Sequence, residues 1–358
     1  MNRSTIFVGF FVTALFTTGC SREVIEPHVT DKDPPELAFH NVTPSAGPFV
    51  RDSEGSASPV KFPLIGLTDP VKEELIPFVA YQSLWVLEDG KAVDIEVKDL
   101  GGSGAPSAID MVFVIDNSGS MGEEADRIAE GILSYSAALA SAGWDIRFGC
   151  VGQDGTINGG IGLTTTSDFS AYLTRPNRQG TARTRGISDP SASAIAAWAT
   201  QNQLYGENGV LGVRCAEETF AWRPDAVRVF INFTDEPIQS PSTTDLWTTN
   251  RYCNEWTPAR GTIHTVWSGD PLVNESWLPG LDDNPADLSD CTGGKTLEIA
   301  SDASDLALAQ LPFVSELQAS VTVSFDSANP EASHTVEIIV QNGSTADGNV
   351  VLPDITYR

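Results

Sequence analysis

Positive charge is scarce in this 358-residue chain: 21 Lys and Arg stand against 48 Asp and Glu, for a formal net charge of -27. Between Gly261 and Tyr357 the only basic side chain is Lys295, against fifteen acids. This balance argues against nucleic-acid binding through phosphate neutralisation. The acidic surface is read mainly as a source of solubility. Histidine is scarce as well: His28, His40, His264 and His334 form no ligand pair at helical spacing, and no Cys-x-x-Cys occurs, which argues against a zinc site. Neither Gly-x-Ser-x-Gly nor His-Glu-x-x-His is present, so the common hydrolase signatures are missing, although a triad assembled from distant residues needs no such motif. The N-terminal apolar stretch, Ile6 to Phe16, is shorter than the roughly 20 residues a spanning helix needs.

That stretch follows Met-Asn-Arg and leads to Gly19-Cys20, the layout of a secretory signal ending at a lipoprotein cleavage site. Residues 1–19 are therefore expected to be a signal peptide and Cys20 a lipidated residue that anchors the chain to a membrane, with Thr17 standing where such signals usually carry Leu. Ser21 in place of Asp points to the outer membrane or surface of a Gram-negative cell; without lipidation, the same signal leads to a periplasmic or secreted protein. Residues 1–19 carry only Arg3, so 20 basic and 48 acidic side chains remain after cleavage, a formal charge of -28. Export also suits the cysteines. Apart from Cys20 there are four, Cys150, Cys215, Cys253 and Cys291, an even number for a compartment where disulfides persist. Three pairings are possible, and the expectation adopted is Cys150 with Cys215 and Cys253 with Cys291.

The most informative segment is residues 109–122, Ile-Asp-Met-Val-Phe-Val-Ile-Asp-Asn-Ser-Gly-Ser-Met-Gly. An apolar strand delivers Asp116, Ser118 and Ser120 onto a turn, where one carboxylate and two hydroxyls can face a single concavity. Hard cations such as magnesium take this kind of oxygen shell. A second apolar run, Ala226 to Thr234, ends in Asp235-Glu236-Pro237 and again places an acid just past a strand's carboxyl end.

With these residues the chain resembles the von Willebrand factor type A (VWA) domain family, which includes the inserted domains of integrins. The family's metal-ion-dependent adhesion site reads Asp-x-Ser-x-Ser, then a Thr on a second loop, then an Asp on a third. Asp116, Ser118, Ser120 and Asp235 match the first and third loops. The resemblance implies that the serines and the second-loop hydroxyl bind the metal directly, with the aspartates acting largely through water. Gly186-Ile187-Ser188 best imitates the second-loop Gly-Gly-Thr, so Ser188 is favoured over Thr181 and Thr184. Glu123 and Glu124 stand where integrin β chains carry acids for an adjacent cation; the competing reading is a pair of acids favoured by the dipole of the first helical turn. Arg175, Arg178, Arg183 and Arg185 lie in an acid-free stretch before the second loop. Arg183 and Arg185 are assigned the role of orienting a carboxylate on a ligand, against the alternative of a solvated loop.

Coarse organisation places a Pro-rich tether over 20–58, loosely ordered from residue 21, then strand, turn and strand over 83–97 within a β segment at 59–107, and a Gly-Gly-Ser-Gly hinge at 101–104. Residues 108–314 read as one α/β unit with a doubly wound, mostly parallel sheet and helices on both faces. Its expected elements are helices at Glu123–Ala142, Ala192–Tyr205 and Asp305–Val314, and strands at Asp145–Val151, Leu163–Thr165, Ala226–Thr234, Thr262–Trp267 and Thr296–Ala300. Strands return at Leu317–Phe325 and His334–Val340, so residues 315–358 are expected to join 59–107 in one small β-sandwich interrupted by the α/β unit. In a doubly wound sheet, ligands bind outside the carboxyl ends of the strands where strand order reverses, and this rule makes Asp116 and Asp235 neighbours. The expected function is a non-enzymatic, cell-envelope adhesion or protein-binding module. It would hold Mg2+, or Mn2+ or Ca2+, with an open position completed by an acidic group of a protein partner. The competing classes are a structural envelope protein using the cation for stability and, with least support, an extracytoplasmic hydrolase.

Overall fold

Alternating burial along β-strands at the two ends of the chain builds one layer pair, and a fully buried central strand builds another. The computed structural model describes residues 32–358 apart from 52–58, 100–107, 123, 142–144, 177–183, 188, 190, 205, 225, 241–245, 270–281, 309–314, 318 and 358. The signal segment, Cys20, the hinge at 101–104, Glu123, Thr181, Arg178, Arg183 and Ser188 lie outside the described residues.

The first strands are β1 (Val50–Arg51), β2 (Val60–Leu64), β3 (Leu84–Glu88), β4 (Lys91–Ala92) and β5 (Ile95–Asp99). The α/β unit follows with β6 (Ile109–Asp116), α1 (Ala125–Ser141), β7 (Ile146–Gln153), β8 (Ile157–Thr164), α2 (Thr166–Thr174), α3 (Ala192–Gln201), α4 (Gly209–Thr219), β9 (Val227–Thr234), β10 (Ile238–Gln239), α5 (Thr249–Glu255), β11 (Thr262–Trp267), β12 (Asp282–Asp283), α6 (Pro285–Asp290) and β13 (Thr296–Glu298). The chain closes with β14 (Val321–Phe325), β15 (Ser333–Asn342) and β16 (Ala346–Thr356).

Two antiparallel sheets, ordered β1-β2-β14-β5 and β16-β15-β3-β4, interleave strands from both ends of the chain. Every second residue points into their shared core: Val60, Phe62 and Leu64 on β2, Val321, Val323 and Phe325 on β14, and Val336, Ile338 and Val340 on β15. Because β14 pairs on one side with β2 and on the other with β5, the C-terminal strands complete sheets begun before the α/β unit. The expected hairpin at 83–97 is corrected. β3 pairs with the short β4, and the chain then crosses at Val93-Asp94 so that β5 joins the other sheet. The expected strand from Leu317 is also shorter, since Ser315–Leu317 is helical and the strand begins at Val321.

The expected loose tether fails over residues 38–51. Phe49 is buried in the β-core beside Phe62, with ring centroids 4.6 Å apart. The fully buried carboxylate of Asp347 accepts backbone N–H bonds from Ala38, Phe39 and His40. Three donors on one carboxylate hold this segment against β16.

The central sheet has order β13-β11-β9-β6-β7-β8, parallel throughout except for the antiparallel edge strand β8. On β6, Ile109, Met111, Phe113 and Ile115 face a core shared with Ile128 and Ile132 of α1 and Phe169 of α2. Val112 and Val114 face the opposite core, with Ile195 of α3, Leu211 of α4, Tyr252 of α5 and Leu288 of α6. Helices therefore cover both faces, as a parallel sheet requires. The helix expected to run to Tyr205 ends at Gln201, and Asp305 to Ala307 are not helical, while 309–314 lie outside the described residues.

The same two-sided architecture explains the cysteines. Cys253 and Cys291 form a disulfide with Cα atoms 5.7 Å apart, joining α5 to the end of α6 and closing a 38-residue separation; a loop of this length is worth about 4 kcal/mol on chain-entropy grounds. The expected Cys150–Cys215 bond is absent. Cys150 packs in the core of α1 and α2, whereas Cys215 packs in the core of α3 to α6, so the sheet itself separates them. Both are buried free thiols. Burial pushes the Cys215 thiol up to about 12 and that of Cys150 still further, which keeps them unreactive at neutral pH.

One buried acid also ties the β-layers together. Asp69 is fully buried and accepts from the N–H groups of Val71 and Lys72, from Asn342 Nδ2 at 2.8 Å and from Thr345 Oγ1. Burial is the largest single influence and pushes its carboxyl up, but the hydrogen bonds from Thr345, Val71, Lys72 and Asn342 together outweigh it and hold the group at about 2. A depressed carboxyl contributes stability that is present above its ordinary value near 4 and is lost as pH falls through about 2. Asp69→Asn should therefore cost about 1–3 kcal/mol in denaturant unfolding at pH 7, with the difference from the parent shrinking towards pH 2. Equal differences at both pH values would contradict this.

Candidate metal centre

Strand order reverses at β6: the chain continues to one side through β7 and β8, then to the other through β9, β11 and β13. The crevice outside the carboxyl ends of β6 and β9 therefore lies at the topological switch point. Asp116 ends β6, and its Oδ1 accepts the N–H of Ser118 at 2.8 Å, an Asx turn that bends the chain sharply out of the strand. A 3-10 turn follows at Ser120–Gly122, pinned by the buried side chain of Met121.

This turn brings the expected oxygens together. Ser118 Oγ and Ser120 Oγ are 2.8 Å apart, and Ser120 Oγ donates to Asp235 Oδ1 at 3.2 Å. Thr234 Oγ1 lies 3.3 Å from Asp116 Oδ2. A third acid joins them: oxygens of Asp116, Glu207 and Asp235 all lie within 4.8 Å of one another. Asp116 and Ser118 are buried, Asp235 and Glu207 are half-buried, and Ser120 is exposed at the rim.

Electrostatically the cluster is out of balance. Burial, followed by the charge of Asp235, drives the Asp116 carboxyl up to about 7 against the opposing Ser118 N–H. Burial, then the charges of Asp116 and Glu236, drives Glu207 up to about 9. Asp235 is raised as well, first by burial. Among the described residues no Lys or Arg pairs with any of the three. Like charges crowded in a partly dry crevice favour either protonation or a cation. Three carboxylates and two or three hydroxyls form the hard-oxygen donor set of Mg2+, Mn2+ or Ca2+, and Glu207 Oε2 is buried without a hydrogen-bond partner. The residues present therefore fit a hard divalent cation.

The second loop approaches through Thr184, fully buried, whose hydroxyl donates to Asn117 Oδ1 at 2.7 Å. Asn117 Nδ2 donates to Asn158 Oδ1 at 2.6 Å, and the Asn117 N–H donates to Gln153 O. This one buried amide thus links the first loop, the second loop and the β7–β8 hairpin. Glycines permit the close approach: a Cβ on Gly152 would lie 2.0 Å from Asn117 Nδ2 and 2.4 Å from Thr184 Oγ1, and one on Gly159 would meet the Thr184 carbonyl oxygen at 1.3 Å. Of the three second-loop candidates, Thr184 is the one the described residues include.

Of the other expected residues, those described make the following contacts. Arg185 donates to the Asn117 carbonyl at 2.7 Å and reaches Asp154 at 3.4 Å, so it braces the backbone of the loop that follows β6. Arg175 stacks on Tyr172, 3.7 Å from the ring centroid, and donates to the carbonyls of Arg185 and Gly186. Glu124 is buried and accepts from Ser268 Oγ at 2.8 Å, beneath the turn and outside the group of Asp116, Glu207 and Asp235.

Glu207 and Asn117 were not singled out from the sequence. Glu207 immediately precedes Asn208, whose side chain caps α4 by accepting from the Leu211 N–H. An Asn before a helical run was the available signal, but Gly209, Gly212 and the β-branched Val210 and Val213 weaken the helical pattern that would have drawn attention to it.

No family model and no curated protein matches the chain. Solved structures with a likeness include an aerotolerance-related membrane protein from Bacteroides fragilis, at 10% identity and a TM-score of 0.36 over 58% of this chain and 98% of that one. Another is the pilus adhesin SpaC from Lactobacillus rhamnosus GG in its open conformation, at 9% identity and a TM-score of 0.38, covering 91% of this chain but only 49% of the adhesin. Scores this low bear on neither the fold nor the function.

The glycine contacts give a direct test of the second loop. Gly152→Ala should lose about 1–3 kcal/mol in denaturant unfolding through overpacking against Asn117 and Thr184. Gly119→Ala, where nothing lies within 4 Å of the added atom, should stay within about 0.5 kcal/mol of the parent. Equal effects would contradict the seating of Thr184 described above.

Proposed function

We propose that this chain is a cell-envelope, metal-dependent protein-binding module of the VWA type, in which Asp116, Ser118, Ser120 and Asp235 hold a divalent cation. The observation that carries this reading is the convergence of those four side chains at the sheet's switch point, with the exposed Ser120 hydroxyl 3.2 Å from Asp235. Further support comes from the strand order, in which the two acid-bearing loops follow adjacent parallel strands. Thr184 is the second-loop hydroxyl that the reading adopts, since its buried position against Asn117 puts it beside the first loop.

In this function the residues bind and orient, and no bond is made or broken. Asp116 and Asp235 supply charge, the serines supply neutral oxygens, and the rim at Ser120 leaves a direction from which a carboxylate on a protein partner can approach. Bound Mg2+, Mn2+ or Ca2+ would supply the Lewis acidity that such a carboxylate recognises. Arg185 holds the Asn117 carbonyl and so keeps the loop in register with the second loop. Export by the N-terminal signal, with lipidation at Cys20, would place the module at the outer membrane or cell surface.

A second reading, a cation held for stability alone in a structural envelope protein, is favoured by Glu207, because a third carboxylate from the protein itself leaves less need for a partner. Both readings require metal binding. In chelator and then in Mg2+, Mn2+ or Ca2+, thermal unfolding should show stabilisation of about 2.7 kcal/mol at a hundredfold excess of ion over its Kd. The shift should vanish in Asp116→Ala and Asp235→Ala. An unchanged melting temperature with all three ions would refute both readings.

A further inference from the structure

Glu207 gives the site one more negative charge than a divalent cation balances. Asp116 and Asp235 alone would leave a divalent centre neutral and ready for an acidic partner. With Glu207 within 4.8 Å of both, the centre is left with a net negative charge, and an incoming carboxylate meets repulsion in a crevice where charges are poorly screened.

The backbone around Glu207 is held in place. Its carbonyl accepts the Gln239 N–H at 2.8 Å. The neighbouring Asn208 donates its N–H to Gln153 Oε1 at 2.9 Å and its side-chain amide to the carbonyls of Gln239 and Trp247. Gly206, at φ +93°, sets the entry to this turn, where a Cβ would lie 2.0 Å from Gln239 Oε1. Any movement of the carboxylate is therefore a rotation of the side chain on a fixed backbone. Glu207 Oε2 has no hydrogen-bond partner, and neither does Nε2 of the fully buried Gln153, whose Oε1 holds the adjacent Asn208. The protein thus leaves polar atoms unsatisfied at the foot of this connection, as expected beside a ligand it does not itself supply.

We propose that Glu207 is an internal carboxylate ligand that occupies the coordination position offered to a partner's acid, so that a partner binds by displacing it. The inference rests on the proposed metal site. It predicts a self-capped resting module whose affinity for an acidic side chain is set by competition between two carboxylates, one of them already tethered at high effective concentration.

Mn2+ bound to the full chain reports the open positions directly, through the relaxation of exchanging water protons. Glu207→Ala should hold one more exchangeable water on Mn2+ than the parent, and millimolar acetate should remove that gain while leaving the parent signal unchanged. Glu207→Gln, which keeps the side chain's volume, should melt in chelator no lower than the parent because one like charge is gone. Identical hydration and identical acetate response in parent and Glu207→Ala would overturn the proposal, as would loss of Mn2+ binding in a folded Glu207→Ala, which would make Glu207 a permanent ligand. Failure of the parent to bind Mn2+ is a separate result and would sink the metal site itself.

Discussion

The crowding of Asp116, Asp235 and Glu207 where strand order reverses is the constraint on which the rest of this structure turns. Each carboxylate is driven towards its protonated form, chiefly by burial. Crowding acids in this way is unfavourable unless positive charge is supplied. Among the described residues, the two arginines that flank the second loop are committed elsewhere: Arg185 to the Asn117 carbonyl, and Arg175 to Tyr172 and the carbonyls of Arg185 and Gly186. The surrounding architecture keeps the acids from relaxing apart. Asp116 is fixed by its own Asx turn, Asp235 follows the parallel neighbour of β6, and Glu207 sits on a turn anchored by Asn208.

Much of this was legible in the sequence because its signals are local. A mostly apolar run, Ile109 to Ile115, leading into Asp-Asn-Ser-Gly-Ser specifies a buried strand and a polar turn whatever surrounds them, and Ala226 to Asp235 repeats the logic. The rule for ligand positions in doubly wound sheets then brings Asp116 and Asp235 together across 119 residues of chain, and they do meet. What was not legible depends on tertiary placement. Glu207 precedes a helix of weak intrinsic pattern, and nothing local marks its carboxylate as converging with two others. Cys150 and Cys215 each look available for a disulfide until the sheet is seen to lie between them. Phe49 and Ala46 fall in a Pro-rich stretch that reads as tether, yet both pack in the β-core, because Asp347, some three hundred residues away, collects the N–H groups of Ala38, Phe39 and His40.

The antiparallel layers and the α/β unit are joined by more than chain connectivity. Ser45 Oγ lies 2.7 Å from Thr262 Oγ1 at the start of β11, and Lys295 pairs with Glu316 at 3.1 Å, with Glu316 also accepting from Thr68. A Cβ on Gly66 would lie 2.3 Å from the Glu316 carbonyl, so the β2 end of the sandwich is seated against the segment leaving the α/β unit. These contacts lie at the amino-terminal ends of β11 and β13 and in the segments flanking the unit. They connect the α/β unit to the β-layers.

The most direct test of the metal centre is anomalous diffraction from crystals of the chain grown with Mn2+. The account predicts a single strong peak enclosed by the side chains of Asp116, Ser118, Ser120 and Asp235 and within ligand reach of Glu207. A peak elsewhere, or none in crystals that hold Mn2+ in the mother liquor, would contradict it.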